Sequence, residues 1–139
     1  MKRSGILTSV VALACVVLVV AGCGLFGSPT ATYKAYYEAA KKKDATALKK
    51  SLSKGTLDLL EKAAKAQDKS MDDLLKDDSF SKDLPDKLPE SRNEKIDGDT
   101  ATLEIKEQKS GDWITMPFVK EDGSWKLAID KFVKDQMKK

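Results

Sequence analysis

The hydrophobic period of this chain changes at Pro89, and that change decides which folds remain open. Before Pro89, apolar residues recur at three- and four-residue spacings, the repeat of a helix with one buried face. After it, they alternate one by one, the repeat of a strand with one buried face. Helices gathered on one side of the sequence and strands on the other predict an α+β domain, with the helices packed on one face of an antiparallel sheet.

The helical half divides at its polar punctuation. Ser28-Pro29 predicts a helix start, with Ser as N-cap and Pro at the first helical position. From Thr30 to Lys43, the residues Tyr33, Tyr36, Tyr37 and Ala40 fall on one face, and Lys41, Lys42 and Lys43 close the helix where positive charge suits its dipole. Asp44 is placed to cap a second short helix with Ala45, Leu48 and Leu52 inward. Gly55 reads as a break and Thr56 as the cap of a third helix, with Leu57, Leu60 and Ala64 inward, or Leu59 and Ala63 beside them. Ser70-Met71-Asp72-Asp73 resembles a capping box with Asp in place of Glu, and opens a fourth helix carrying Met71, Leu74 and Leu75. Phe80, Leu84 and Leu88, in a stretch punctuated by Pro85 and Pro89, predict an irregular connection pinned by those side chains.

In the second half, Glu90 to Ile96 is a polar strand suited to a sheet edge. Asp97-Gly98 is a hairpin signal. From Asp99 to Glu107, Ala101, Leu103 and Ile105 alternate with Thr100, Thr102, Glu104 and Lys106. Lys109-Ser110-Gly111 turns the chain into Trp113 to Val119, where Ile114, Met116 and Phe118 share one face. The other face, Trp113, Thr115 and Val119, is not polar and is expected to be partly covered. Asp122-Gly123 turns again, and Trp125, Leu127 and Ile129 line the last strand. A short helix through Phe132, Val133 and Met137 is expected at the end. The expected sheet is an antiparallel meander of three to four strands.

The N-terminus has a different composition. Lys2 and Arg3 precede an uncharged, apolar run of 16 residues, Ile6 to Ala21, that ends in Ala21-Gly22 before Cys23. A spanning helix needs roughly 20 apolar residues, whereas a secretory signal has an apolar region of about 7–15 with small residues at its exit. Val20-Ala21-Gly22-Cys23 resembles the lipobox of bacterial lipoproteins, with Val20 where Leu is usual. The resemblance implies a signal peptide over 1–22, export, cleavage before Cys23, and diacylglycerol and acyl chains on that residue. Residues 23–28 then form a lipidated tether, and 29–139 form a single domain. Each buried CH2 contributes about 0.8 kcal/mol to membrane affinity, so two or three acyl chains hold durably where one does not. Gly24 after the Cys resembles the outer-membrane sorting pattern of two-membrane bacteria. An uncleaved single-pass anchor with Cys23 as an ordinary thiol is the alternative. In the rival stretch Ala12-Leu13-Ala14-Cys15, the apolar run before the Cys is too short, so Cys15 is assigned to the discarded signal.

A second resemblance concerns the domain. The stripe Tyr33-Lys34-Ala35-Tyr36-Tyr37-Glu38-Ala39, and the ending Pro117-Phe118-Val119-Lys120-Glu121-Asp122-Gly123-Ser124-Trp125-Lys126-Leu127, resemble cystatin-like cones related to nuclear transport factor 2. Small bacterial lipoproteins of that superfamily end in a similar hairpin. The likeness covers roughly Pro29 to Ile129 and implies a curved antiparallel sheet wrapped around helices, with a cavity between them. It implies no activity, because that superfold hosts enzymes, binders and scaffolds alike.

Composition narrows the chemistry. The chain of 139 residues has no His and two Cys. It therefore lacks the commonest general base and metal ligand, and it cannot build a disulfide scaffold. No Gly-rich phosphate loop or nucleophile elbow occurs. Asp72, Asp73, Asp77 and Asp78 do not have the alternate spacing of a calcium loop. Lys plus Arg number 25 and Asp plus Glu 22, a net charge of +3 that falls by two when Lys2 and Arg3 are cleaved away. Arg92 is the only Arg of the mature chain, which argues against nucleic acid as a partner.

The expected function is therefore a non-catalytic binding domain held at the membrane through Cys23, without metal or cofactor. Its ligand would be a small apolar molecule, a peptide or an envelope protein. Tyr33, Tyr37, Met116, Phe118 and Trp125 are the expected cavity lining, although each is equally suited to plain core. Two alternatives stay open: a cone-type isomerase or hydrolase with a buried carboxylate near a Tyr, and a purely structural envelope module.

Overall fold

Helix α1 (Pro29–Lys42) starts where its caps lie. Ser28 Oγ accepts the Ala31 N–H at 3.0 Å, and Pro29, which has no N–H, fills the first helical position. Five further helices and four strands follow in the computed structural model, which describes residues 27–138. They are α2 (Ala45–Ser51), α3 (Lys54–Ala66), α4 (Met71–Lys76), α5 (Asp78–Ser81), β1 (Ser91–Asp97), β2 (Thr100–Lys106), β3 (Trp113–Glu121), β4 (Ser124–Leu127) and α6 (Ile129–Gln136). The fold is α+β, with one four-stranded antiparallel sheet in the order β1-β2-β3-β4. The signal-like run, Cys15 and Cys23 lie outside the described residues.

Local chemistry sets most boundaries. Lys43 ends α1 in the left-handed region at φ 53°, and its N–H turns back to Ala39 and Ala40 carbonyls. Asp44 then caps α2 by accepting the Ala47 N–H at 3.0 Å. Ser70 Oγ accepts the Asp73 N–H at 3.1 Å and opens α4.

Three local expectations are corrected. Helix α3 is capped by Ser53, not Thr56: Ser53 Oγ accepts the Thr56 N–H at 3.1 Å, and Gly55 lies inside the first turn. A Cβ on Gly55 would sit 2.6 Å from Asp130 Oδ2, so this glycine serves the close approach of α6 instead of breaking a helix. The first hairpin pairs Asp97 with Thr100, which makes Gly98-Asp99 its loop instead of Asp97-Gly98. Ile129 leaves the last strand to begin α6. Within the irregular connection, one turn of helix (α5) forms that the apolar spacing does not predict.

The sheet's inner face follows its alternation. Ala101, Leu103 and Ile105 stand opposite Phe118, Met116 and Ile114, and Phe118 is opposite Leu127 on the next strand. Leu52, Leu103, Phe118, Trp125 and Leu127 form the sheet-side core, onto which Tyr33, Tyr36, Leu57 and Leu60 pack. A second core lies among the helices, from Ala39, Ala40, Ala45, Leu48 and Leu75. Tyr36 and Leu60 touch both cores and join them.

Polar groups tie the layers together. Thr32, fully buried, donates its hydroxyl to Ser28 O at 2.9 Å and Trp125 O at 3.1 Å, linking α1 to β4. On β1 the register slips between Arg92 and Lys95, where Asn93 takes φ 52°. Bulges re-aim side chains, and this one delivers Glu94 to the start of α1, where it accepts the Thr30 N–H at 2.9 Å. The first turn of α1 has no acidic residue of its own, so Glu94 supplies the negative charge its dipole favours. The outer sheet face is partly covered as its composition implies: the Arg92 guanidinium stacks 3.8 Å over the Trp113 ring.

Candidate functional site

Helix α1 crosses the inner face of the sheet but does not cover all of it. Beyond Tyr33 and Tyr36, where β2 and β3 pair through Ile105 and Ile114, the second wall is the connection between α5 and β1. The result is an open groove of about 740 Å³. Its floor is Ile105, Ile114 and Met116, one wall is Tyr33 and Tyr36, and the other is Leu84, Pro85 and Pro89. Charges of both signs stand at its rim: Lys82, Lys106 and Lys109 against Asp83, Asp86 and Glu107.

The wall over residues 82–89 is held at specific points. Tyr37, buried on α1, donates its hydroxyl to Pro85 O at 2.7 Å. Leu84 packs against the helical core. Lys109 pairs with Asp83 at 3.5 Å across the groove mouth, an exposed pair that contributes little energy. Pro85 and Pro89 fix their own φ angles, which limits the conformations this wall can adopt.

The two groove tyrosines lie with ring centroids 6.4 Å apart and planes inclined by 29°. Burial pushes the Tyr33 hydroxyl up to about 12, with the neighbouring Tyr36 and Tyr37 adding to the shift. Burial raises Tyr36 as well. Both hydroxyls therefore stay protonated at neutral pH, able to donate hydrogen bonds and poorly suited to act as bases.

This has a consequence at high pH. The folded state holds the Tyr33 proton more tightly than the unfolded chain, whose tyrosines titrate near 10.0. The associated stability is complete below pH 10.0 and is lost as pH rises towards about 12. Tyr33→Phe is expected to flatten the fall in melting temperature over that window. An unchanged slope would show that Tyr33 is not the group responsible.

Of the five residues expected to line a cavity, the structure brings Tyr33 and Met116 to the groove. Tyr37 supports the wall from behind through Pro85. Phe118, 1% exposed, and Trp125, 4% exposed, belong to the sheet-side core and do not line the groove. Tyr36, Leu84, Ile105, Ile114 and the two prolines supply the rest of its apolar lining. Ile114 was legible from the strand alternation it shares with Met116, and Ile105 from its own strand.

A second, more open hollow of about 390 Å³, bordered mostly by polar and charged residues, lies where α3 and α6 begin. Ser53 Oγ and Thr56 Oγ1 are 2.9 Å apart, and each donates to Asp130 Oδ1 at 3.1 Å. Glu121 accepts the Lys54 N–H at 3.1 Å. These groups satisfy helix starts, which accounts for their burial without a ligand. The aspartates of α4 and its flanks are likewise engaged: Asp72 pairs with Lys49 and Asp78 with Lys43, while Asp77 lies 2.7 Å from Lys69. Among the described residues, no three His, Cys, Asp or Glu side chains gather as a metal site. Among the same residues, no helix is long and apolar enough to cross a membrane.

Comparison of the chain with protein-family models, curated proteins and solved structures finds no match.

Proposed function

We propose that the chain is an exported lipoprotein, anchored through Cys23, whose α+β domain is a non-catalytic binding module. On this reading the helices and curved sheet form a cone similar to those related to nuclear transport factor 2. The groove beside α1 receives the apolar body of a small molecule or the side chains of a peptide. The observation that carries the binding reading is the groove itself: its floor is apolar and its walls mix apolar and polar groups, its volume of about 740 Å³ suits a small ligand, and its tyrosine hydroxyls are protonated donors. Its acidic groups stand at the rim among lysines, where they fix orientation better than they transfer protons.

The methionines provide a test. Met116 is in the groove, Met71 packs on the helical core, and Met137 is exposed. The full chain, labelled at its methionine methyl groups and held in nanodiscs, is titrated with dodecanol as the apolar probe. The Met116 methyl resonance is expected to shift saturably while Met71 stays in place. A fixed Met116 signal, or equal shifts of all three, would contradict the groove reading.

A further inference from the structure

Helix α6 has an exposed face that neither the groove nor the core uses. No residue of α6 is fully buried. Ile129 packs on the sheet-side core and Phe132, one turn on, is half-buried, so these two mark the side turned to the body. Val133 and Lys134 lie in α6; Met137, its C-cap with right-handed helical backbone, and Lys138 just past it follow at i+4 and i+5 on the same side, as one strip. Val133 is 37% exposed and Met137 is 82% exposed, two of the large apolar side chains left open to solvent. Lys134 and Lys138 lie within the strip and Lys131 borders it, all exposed.

The three lysines outnumber the two acidic residues of α6, Asp130 and Asp135, by one. The Asp130 carboxylate is turned inward, its side chain 13% exposed, and accepts from Ser53 and Thr56 hydroxyls. It also stands 3.7 Å from Lys134 Nζ. Asp135 falls on the opposite side from Met137 by helical spacing, at the edge of the strip that Lys131 and Lys138 share. A short face with two apolar side chains among three lysines suits the boundary between headgroups and acyl chains, where the apolar groups insert and the ammonium groups meet phosphates.

Connectivity ties α6 to the start of the domain. Thr32, one turn into α1, donates to Trp125 O on β4, and α6 begins two residues after β4 ends. The start of the domain and its last helix are therefore both fastened to β4.

We propose that the exposed face of α6 is a docking surface for an anionic lipid bilayer, which orients the tethered domain on its membrane. This rests on the anchored reading above. One short helix would not hold a soluble protein at a bilayer; an anchor that already confines the domain there leaves α6 only to choose its orientation.

The test uses the full chain reconstituted in vesicles of phosphatidylglycerol with phosphatidylethanolamine, and in vesicles of phosphatidylcholine. Sedimentation reads anchoring, and amide hydrogen exchange over 129–138 reads docking. Exchange there is expected to slow in the anionic vesicles and not in the neutral ones. The contrast should fade in 1 M salt, where the screening length falls to about 3 Å. The variant K131E/K134E/K138E is expected to lose it, because each lysine near an anionic surface contributes roughly fivefold to partitioning. Met137→Ser, at a side chain left mostly open to solvent, is expected to weaken it without altering the melting temperature. Sedimentation with both vesicles but equal exchange over 129–138 overturns the docking surface and leaves the anchor standing. Sedimentation with neither overturns both. Sedimentation with anionic vesicles alone contradicts the anchor and, with it, the orienting role of α6.

Discussion

Phe118→Ala is expected to lower the stability of the domain by about 3–5 kcal/mol, the range for deleting a buried ring from a packed core. Phe118 is 1% exposed and sits at the centre of the inner sheet face, opposite Ala101 on β2 and Leu127 on β4. Its neighbours cannot close the gap cheaply. The backbone around it is fixed on both sides by sheet pairing, and Leu127 is further held by the Ser53 N–H, which donates to its carbonyl at 3.0 Å. The lost area and the residual cavity therefore both count. Urea unfolding of the wild type and the variant reads the effect as a drop in midpoint at unchanged slope. A loss within about 0.5 kcal/mol, the size expected of a surface substitution, would contradict the placement of Phe118 in the core.

Leu48→Ala is expected to cost about 2–5 kcal/mol, and for a different reason. Leu48 has no exposed surface and belongs to the core among the helices, with Ala39, Ala40, Ala45 and Leu75. Three of those four neighbours are alanines, which have no rotamers with which to refill a void. Collapse would require α2 to move towards α1, and α2 is pinned at its start by the Asp44 cap and at its end by the bridge between Leu52 and Leu127. Because Tyr36 and Leu60 pack on both cores, the variant is expected to unfold in one transition, with helical and tryptophan signals coincident. Separate transitions would show that the helices and the sheet are independent units.

Much of the fold is legible in the sequence because the signals are local. Ser28-Pro29 and Asp44 cap their helices through bonds that reach three residues or fewer. The change to alternation after Pro89 gives the sheet, and Asp122-Gly123, with φ angles of 52° and 77°, gives the last hairpin. What is not legible depends on distant partners. Ser53 and Thr56 are both good cap residues; the register that selects Ser53 also involves Asp130, more than seventy positions away. The bulge at Asn93 accompanies the contact of Glu94 with α1, which no property of β1 alone announces.

The groove is partly legible for a similar reason. Alternation puts Ile114, Met116 and Phe118 on one face, but it does not say which end of that face α1 covers. Tertiary packing buries Phe118 and leaves Ile114 and Met116 at the groove. Helical spacing likewise groups Tyr33, Tyr36 and Tyr37 without saying that Tyr37 spends its hydroxyl on Pro85 while the other two face the groove. The wall of 82–89 is marked by its prolines and by Leu84, but nothing in that spacing says that it faces the sheet across a groove.

The most direct test of a tethered binding domain is one native mass spectrum of the full chain, expressed in a bacterium that processes lipoproteins and released from its membranes in detergent. The account predicts a chain that begins at Cys23 and carries acyl groups there. It also predicts a satellite peak from a bound small molecule, which Ile114→Trp, a groove-filling change, removes. A chain that retains Met1 without acyl groups would contradict the tether. The same single peak from wild type and variant would contradict the groove.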